Sequence, residues 1–217
     1  MSAPVPASDH AASRRVPIFT VDASHLLQGA RQLPSPHYDE RPQPDDALVA
    51  AGPMVNDISL LVIHAISLPP GEFGAGSAEL RYIDALFLGQ LDTSAHPYFE
   101  TLQGVRVSAH VCIFRDGSVT QYVPFDQRAW HAGASSFAGR SRCNDYSIGI
   151  ELEGCDELPF EPAQYTTLDA VIRAVRLRYP TITRDRIVGH SDIAPGRKTD
   201  PGPHFDWPRV RATLQEV

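Results

Sequence analysis

Lys198 is the only lysine in the chain, and the other eighteen Lys/Arg positions are all arginine. A sequence that otherwise meets its need for cations with arginine marks this position for chemistry that requires a compact ammonium. Lys198 lies in the run His190-Ser-Asp-Ile-Ala-Pro-Gly-Arg-Lys-Thr-Asp-Pro-Gly-Pro203, which also supplies a histidine and an aspartate, both good metal ligands. Five of the fourteen residues in this run are Pro or Gly, which predicts an ordered, turn-rich loop and neither helix nor strand. A second histidine, His64, closes the apolar run Ser59-Leu-Leu-Val-Ile-His64. Two histidines and an aspartate in loops beside strands have the composition of a catalytic zinc site, with three protein ligands and an open fourth position. No H-E-x-x-H spacing links them, so a hydrogen-bonded core histidine is the alternative for each one alone.

The elements that would position these residues are legible from periodicity. Ser59 to His64 reads as a buried strand, and a short helix is expected over Ala78 to Leu88. A hairpin follows, with strands Val107 to Phe114 and Ser118 to Val123 around a turn at Arg115-Asp-Gly117. On its first strand, Val107, Ala109, Val111 and Ile113 are expected on one face, with Ser108, His110 and Cys112 on the other. In Ser147-Ile-Gly-Ile-Glu-Leu-Glu153 the aliphatic residues alternate with Gly149, Glu151 and Glu153. Those glutamates are either solvated or face a site, and the glycine leaves room for a ligand or another backbone to come close. From Glu161 to Tyr179, the residues Tyr165, Leu168, Ile172, Val175 and Tyr179 step by three and four, with Pro162 suited to the first helical position. A last strand, Arg186 to Gly189, delivers His190. Functional residues collect where strands enter loops in α/β folds, so His64 and His190 are expected at one sheet edge.

Composition excludes several classes. At 217 residues with 42% hydrophobic content, the chain is large enough for one well-filled core. A net charge of -7 and the absence of any basic cluster leave no footprint for nucleic acid. No stretch approaches the roughly 18 apolar residues of a membrane span. Cys112, Cys143 and Cys155 form no C-x-x-C motif and read as free thiols. With no apolar signal segment in Met1 to Thr20, the expectation is a cytoplasmic protein. Residues 1 to about 53 are rich in Pro, Ala, Ser and Asp and are expected to form a flexible arm, residues 1–30, followed by an irregular strap.

Several long runs resemble the type-2 N-acetylmuramoyl-L-alanine amidases, a family that includes phage lysozyme-like amidases and peptidoglycan recognition proteins. They are Val62-Ile-His64 through Phe73, Arg106-Val-Ser-Ala-His110, Gln121 through Asp126, Arg128-Ala-Trp-His-Ala-Gly133, Arg142-Cys-Asn-Asp145, Ile148 through Gly154, and Gly189-His190 through Gly202. The match is collinear from about Arg31 to Val210 and is strongest to the cytoplasmic members that act on anhydromuropeptides in cell-wall recycling.

The resemblance implies a single α/β domain over residues 31–217, with a central mixed sheet flanked by helices. It also implies zinc held by His64, His190 and Asp200, with Glu151 and Lys198 catalytic, and a substrate cleft lined by Arg106, Trp130 and Arg142. His110 and His131 fall in matched motifs and are expected to play structural roles behind the ligands. The implied substrate is an anhydromuropeptide, with no protein partner. One departure is Ala65, where the family commonly has asparagine after its first histidine ligand. Two alternatives are a non-catalytic peptidoglycan sensor, which the full ligand and catalytic set opposes, and a wall-degrading amidase of the autolysin or phage type.

Overall fold

Two seven-residue strands, β2 (Leu60–Ile66) and β5 (Ser147–Glu153), lie side by side and parallel at the centre of a six-stranded mixed sheet. The other strands are β1 (Arg31–Gln32), β3 (Val111–Ile113), β4 (Val119–Gln121) and β6 (Ile187–Gly189), and the spatial order is β6-β2-β5-β3-β4-β1. β6 runs parallel to β2, β3 parallel to β5 and β1 parallel to β4, while β3 and β4 form the antiparallel hairpin. The computed structural model describes residues 17–42, 57–77 and 80–214.

The helices are α1 (Tyr82–Phe87), α2 (Pro162–Arg178), α3 (His190–Ile193) and α4 (Trp207–Thr213). α2 starts as its sequence predicts, with Pro162 in the first turn and the Gln164 side chain accepting the Glu161 N–H at 3.0 Å. Its buried Tyr165, Leu168, Ile172 and Val175 pack on Leu61, Ile63, Ile148, Ile150 and Leu152. Fully burying a residue such as Leu168 contributes roughly 1.5–3 kcal/mol, so this face anchors the sheet.

The opposite face carries two separate apolar clusters. Leu60 and Val62 pack with Ala132, Tyr146, Val188 and Ile193, whereas Cys112 packs with Phe87, Phe99, Phe114 and Tyr122. His64 and Glu151 follow the alternation of their strands onto this second face, and both are buried. Of the two readings of the glutamates, the solvated one is therefore excluded.

Several expected boundaries shift. The first hairpin strand shrinks from Val107–Phe114 to Val111–Ile113, because the His110 ring Nδ1 takes the Gly149 N–H at 2.9 Å and interrupts regular pairing. The shared face breaks there too: Ala109 packs with Cys112, whereas Val111 and Ile113 face α2. The expected helix over 78–88 is observed only as α1, and residues 78–79 lie outside the described residues. The run from His190 begins with one helical turn, α3, and becomes turns only afterwards.

The expected arm 1–30 also needs correction at its inner end. Thr20–Val21 pairs with Leu27–Gln28, and Leu27 is fully buried in the main core, so the domain includes residues upstream of 31. Residues 1–16 and 43–56 lie outside the described residues. The strap contributes Tyr38–Glu40, paired antiparallel with Gln127–Ala129. All three cysteines are free, with Cys112 and Cys143 buried.

Candidate active site

The parallel register of β2 and β5 pairs His64 with Glu151 directly. β6 ends with Gly189 opposite Ile63, so His190 arrives at the level of His64 as it opens α3. The turns that follow fold back until the Asp200 carbonyl accepts the Ser191 N–H at 2.9 Å. Glycine at 189 permits this return, since a Cβ there would sit 2.8 Å from Pro201 Cδ.

Three donor atoms thereby converge. His64 Nδ1 lies 2.9 Å from His190 Nδ1 and 3.1 Å from Asp200 Oδ2, and His190 Nδ1 lies 3.0 Å from the same oxygen. Burial pushes the His64 imidazole down to about 4, with the Asp200 hydrogen bond opposing it. Burial pushes Asp200 up, but hydrogen bonds and charge from the two histidines more than offset this and hold it well below the usual carboxylate range. Two ring nitrogens at 2.9 Å can share at most one proton, whereas a cation would take a lone pair from each of the three atoms. Tetrahedral ligands at ~2.0–2.1 Å from zinc are about 3.3 Å apart, so the size and chemistry of this triangle fit a metal. Among the described residues this His-His-Asp group could hold a metal ion.

The triangle opens into a cavity of about 570 Å³. Leu86, Phe87, Tyr98, Leu102, Val107 and Trp130 supply an apolar lining, and Glu151, Asp156, Glu157, Arg197 and Lys198 supply charge. Glu151 Oε2 is buried without a hydrogen-bond partner. Burial lifts this carboxyl well above the ordinary range and the Asp200 charge lifts it further, while Lys198 pulls it down. Glu153, two residues along the same strand face, differs in being satisfied: it accepts N–H groups from Gly74 at 2.6 Å and Arg115 at 3.2 Å. Only Glu151 of the pair has an oxygen free to work.

The expected cleft residues divide. Trp130 lines the cavity, its indole N–H donating to Asp39 at 3.0 Å and Asp39 in turn held by Arg128 at 2.6 Å. Arg106 lines a smaller adjoining pocket of about 170 Å³ that shares Leu86 and Leu102 with the first. Arg142 lines neither, and its exposed side chain pairs with Asp145 at 3.0 Å. The cavity's cations are instead Lys198 and Arg197, and Arg197 carried no sequence signal beyond its place beside the lysine. Ala65 does line the cavity, so the departure from the family pattern falls where a side chain could reach a ligand.

His131 was expected behind the site, but the groups that hold it and its neighbours in place carried no sequence signal. Arg41, in the Pro-rich strap, donates to the carbonyls of Asn144, Asp145, Phe125 and Ser147 at 2.8–3.2 Å. Burial lowers its guanidinium to about 10. Asn144 Oδ1 in turn accepts the N–H groups of His131 and Ala132 at 3.2 and 2.8 Å. The glycine at 149 leaves room for an imidazole and not for a ligand, because a Cβ there would lie 2.5 Å from the His131 ring.

A sheet that sets a His-His-Asp triangle able to hold a metal beside a buried carboxyl at the base of a cavity has the composition of a hydrolase site. The family model described as N-acetylmuramoyl-L-alanine amidase matches residues 54–203, and the chain belongs to that family and is an enzyme of that class. It is 56% identical over 188 residues to the 1,6-anhydro-N-acetylmuramyl-L-alanine amidase AmpD of Citrobacter freundii, covering 87% of this chain and 91% of that protein. A crystal structure of a selenomethionine derivative of AmpD superposes with a TM-score of 0.77 at 55% identity, covering 88% of this chain and 97% of the other. The Escherichia coli amidase AmiD, in complex with anhydro-N-acetylmuramic acid-L-Ala-D-γ-Glu-L-Lys, is 31% identical with a TM-score of 0.54, covering 82% of this chain and 65% of that one. The central mixed sheet and flanking helices are those of this family.

The ring of His110 provides a test of the packing behind the site. Its Nδ1 accepts the Gly149 N–H and its Nε2–H donates to the Gln127 carbonyl at 3.1 Å, so the neutral form satisfies both backbone groups, with the Arg41 guanidinium also 3.1 Å from Nε2. Burial, with the Arg41 charge adding to it, holds this imidazole well below its ordinary value. Below about pH 6.5 the unfolded chain takes up a proton that the native ring refuses, so this contribution to stability is present above that pH and declines on acidification. Urea unfolding of the wild type between pH 6.5 and 5 should show a slope that shrinks by about 1 kcal/mol per pH unit in His110→Asn. An unchanged slope would mean that the native ring protonates freely.

Proposed function

We propose that the enzyme is a zinc amidase that hydrolyses the bond between the lactyl carbonyl of 1,6-anhydro-N-acetylmuramic acid and the amine of L-alanine, in cytoplasmic peptidoglycan recycling. The observation that carries this reading is the convergence of three lone-pair donors beside a buried, unpartnered carboxyl at the base of one cavity. The AmpD relative named for the anhydro substrate supports the choice of sugar. The AmiD complex supports a muropeptide in this fold. Free thiols fit a reducing compartment, and no helix among the described residues is long and apolar enough to cross a membrane.

His64, His190 and Asp200 would hold the metal. Zinc, when bound there, supplies polarisation of the scissile carbonyl and lowers the pKa of its water toward ~7. Glu151 takes a proton from the attacking water at its unpartnered Oε2 and delivers it to the alanine nitrogen as the amide bond breaks. Its raised proton affinity suits both halves of that transfer, since a carboxylate of ordinary pKa is a weak base near neutrality. Lys198 presents its ammonium to the tetrahedral oxyanion, a contribution on the order of 3 kcal/mol for a preorganised donor. The apolar lining around Trp130 excludes water from the reacting bond, and Arg197 and Lys198 attract the carboxylates of the stem peptide. Arg106, in the adjoining pocket, and the exposed Arg142 are further cations for those carboxylates.

Elemental analysis should find one zinc per chain, and chelation should abolish release of peptide from an anhydromuropeptide. Persistent turnover after complete metal removal would reject the reading.

Glu151→Gln is nearly isosteric but cannot accept the proton. It should retain zinc and lose ~10²–10⁴ in kcat. Near-normal turnover would transfer the base role to another group.

Lys198→Arg should fold and keep its metal, yet lose at least about tenfold in kcat, because a planar guanidinium does not reproduce a point charge at a fixed distance. Wild-type turnover in a zinc-loaded Lys198→Arg protein would reduce Lys198 to a surface cation.

A further inference from the structure

The two histidine ligands are held from behind by two consecutive residues, one acting through its side chain and the other through its backbone. His190 Nε2 lies 3.1 Å from the Ala132 carbonyl oxygen. A carbonyl offers only lone pairs, and Arg197 Nη2, 3.4 Å from this nitrogen, donates to the same carbonyl at 2.7 Å, so Nε2 carries the proton and Nδ1 is left with its lone pair toward the triangle. His64 Nε2 lies 2.9 Å from His131 Nδ1, and His131 Nε2 lies 3.1 Å from Ser147 Oγ. If Nδ1 of His64 is a ligand atom, Nε2 must be its N–H, His131 Nδ1 must accept it, and His131 Nε2–H must donate to the hydroxyl.

The dipeptide is itself clamped. Both of its N–H groups end on the single oxygen Asn144 Oδ1, and Arg197 Nη2 donates to the Ala132 carbonyl at 2.7 Å. Gly149 gives the His131 ring its space. A residue that only filled volume behind the site would need none of these directed contacts.

We infer that His131-Ala132 is a positioning element that sets the tautomer of both histidine ligands at once, through the His131 ring for His64 and the Ala132 carbonyl for His190. The inference rests on the zinc reading above and extends it to residues that do not touch the metal. Asn144 fixes the dipeptide's backbone, so the orientation of two ligands far apart in sequence depends on one amide oxygen.

The test is zinc affinity, measured by chelator competition on the full chain, for wild type, His131→Leu and His131→Asn. Leucine keeps the bulk without an acceptor, and asparagine can place Oδ1 near the position of Nδ1. His131→Leu should bind zinc 10–100-fold more weakly. His131→Asn should recover most of that loss, which a purely space-filling role would not produce. Long-range proton–nitrogen NMR of the zinc-loaded wild type should show His131 with a bare Nδ1 and a protonated Nε2.

A wild type that takes up no zinc overturns the metal assignment and this inference with it. Stoichiometric zinc in the wild type, with unchanged affinity in a folded His131→Leu or equally weak binding by both variants, overturns this inference alone. So does a His131 protonated at Nδ1, and that measurement decides the matter if His131→Leu does not fold.

Discussion

Three atoms that each direct a lone pair at the same point, 2.9–3.1 Å apart, repel one another unless a cation or a shared proton lies between them. Everything around the triangle in this enzyme can be read as the means of imposing that arrangement. His64 is fixed by a seven-residue strand paired on both sides, His190 by the end of a neighbouring parallel strand, and Asp200 by a turn that returns to Ser191. A β-strand allows little freedom in where its side chains stand, which suits a site that must hold three lone-pair donors close together.

The same demand explains how polar groups are distributed through the buried face. His110, His131, Asn144 and Glu153 are provided with partners, in keeping with the rule that buried polar atoms are hydrogen-bonded. Among the described residues, Glu151 Oε2 is the one buried carboxylate oxygen without a partner, the other unpartnered buried atoms being guanidinium nitrogens of Arg41, Arg115 and Arg176. Leaving a buried polar atom unpaired costs on the order of 1–3 kcal/mol, and a purely structural glutamate at this register position would have been replaced or satisfied at little cost. Its neighbour Glu153 shows that the same strand face can satisfy a carboxylate fully. The cost at Glu151 is consistent with an oxygen reserved for substrate and water.

Charge is arranged on a similarly local scale. The chain carries a formal charge of -7, yet the cavity presents Arg197 and Lys198 together with Asp156 and Glu157. Net charge describes solubility and long-range association, while a cavity wall within a few ångströms of a ligand is governed by the residues that line it. Arg197 serves both scales, lining the cavity while donating to the carbonyl that supports His190.

Much of this site is legible in the sequence by itself. The periodicity of Ser147 to Glu153 and of Pro162 to Arg178 determines a strand and a helix almost to the residue, because regular elements bury one face at a fixed period. His64, Glu151, Lys198, His190 and Asp200 stand out by residue type, by their positions near strand ends and in the turn-rich run, and by family motifs, and the fold gathers all five around one cavity. His110 and His131 were also expected behind the ligands, and what only tertiary structure decided is how the groups behind and beside them are connected. Arg41 reaches its four carbonyls across more than eighty residues of chain, and nothing local in a Pro-rich strap distinguishes it from a solvated arginine. Arg106 and Arg142 bear the right charge in the right motifs but stand outside the main cavity, since a long side chain's direction depends on its neighbours. Gly149 announced a close approach without naming the partner, and the partner proved to be His131. Local periodicity determines the elements; a hydrogen bond between distant segments exists only once the chain has folded.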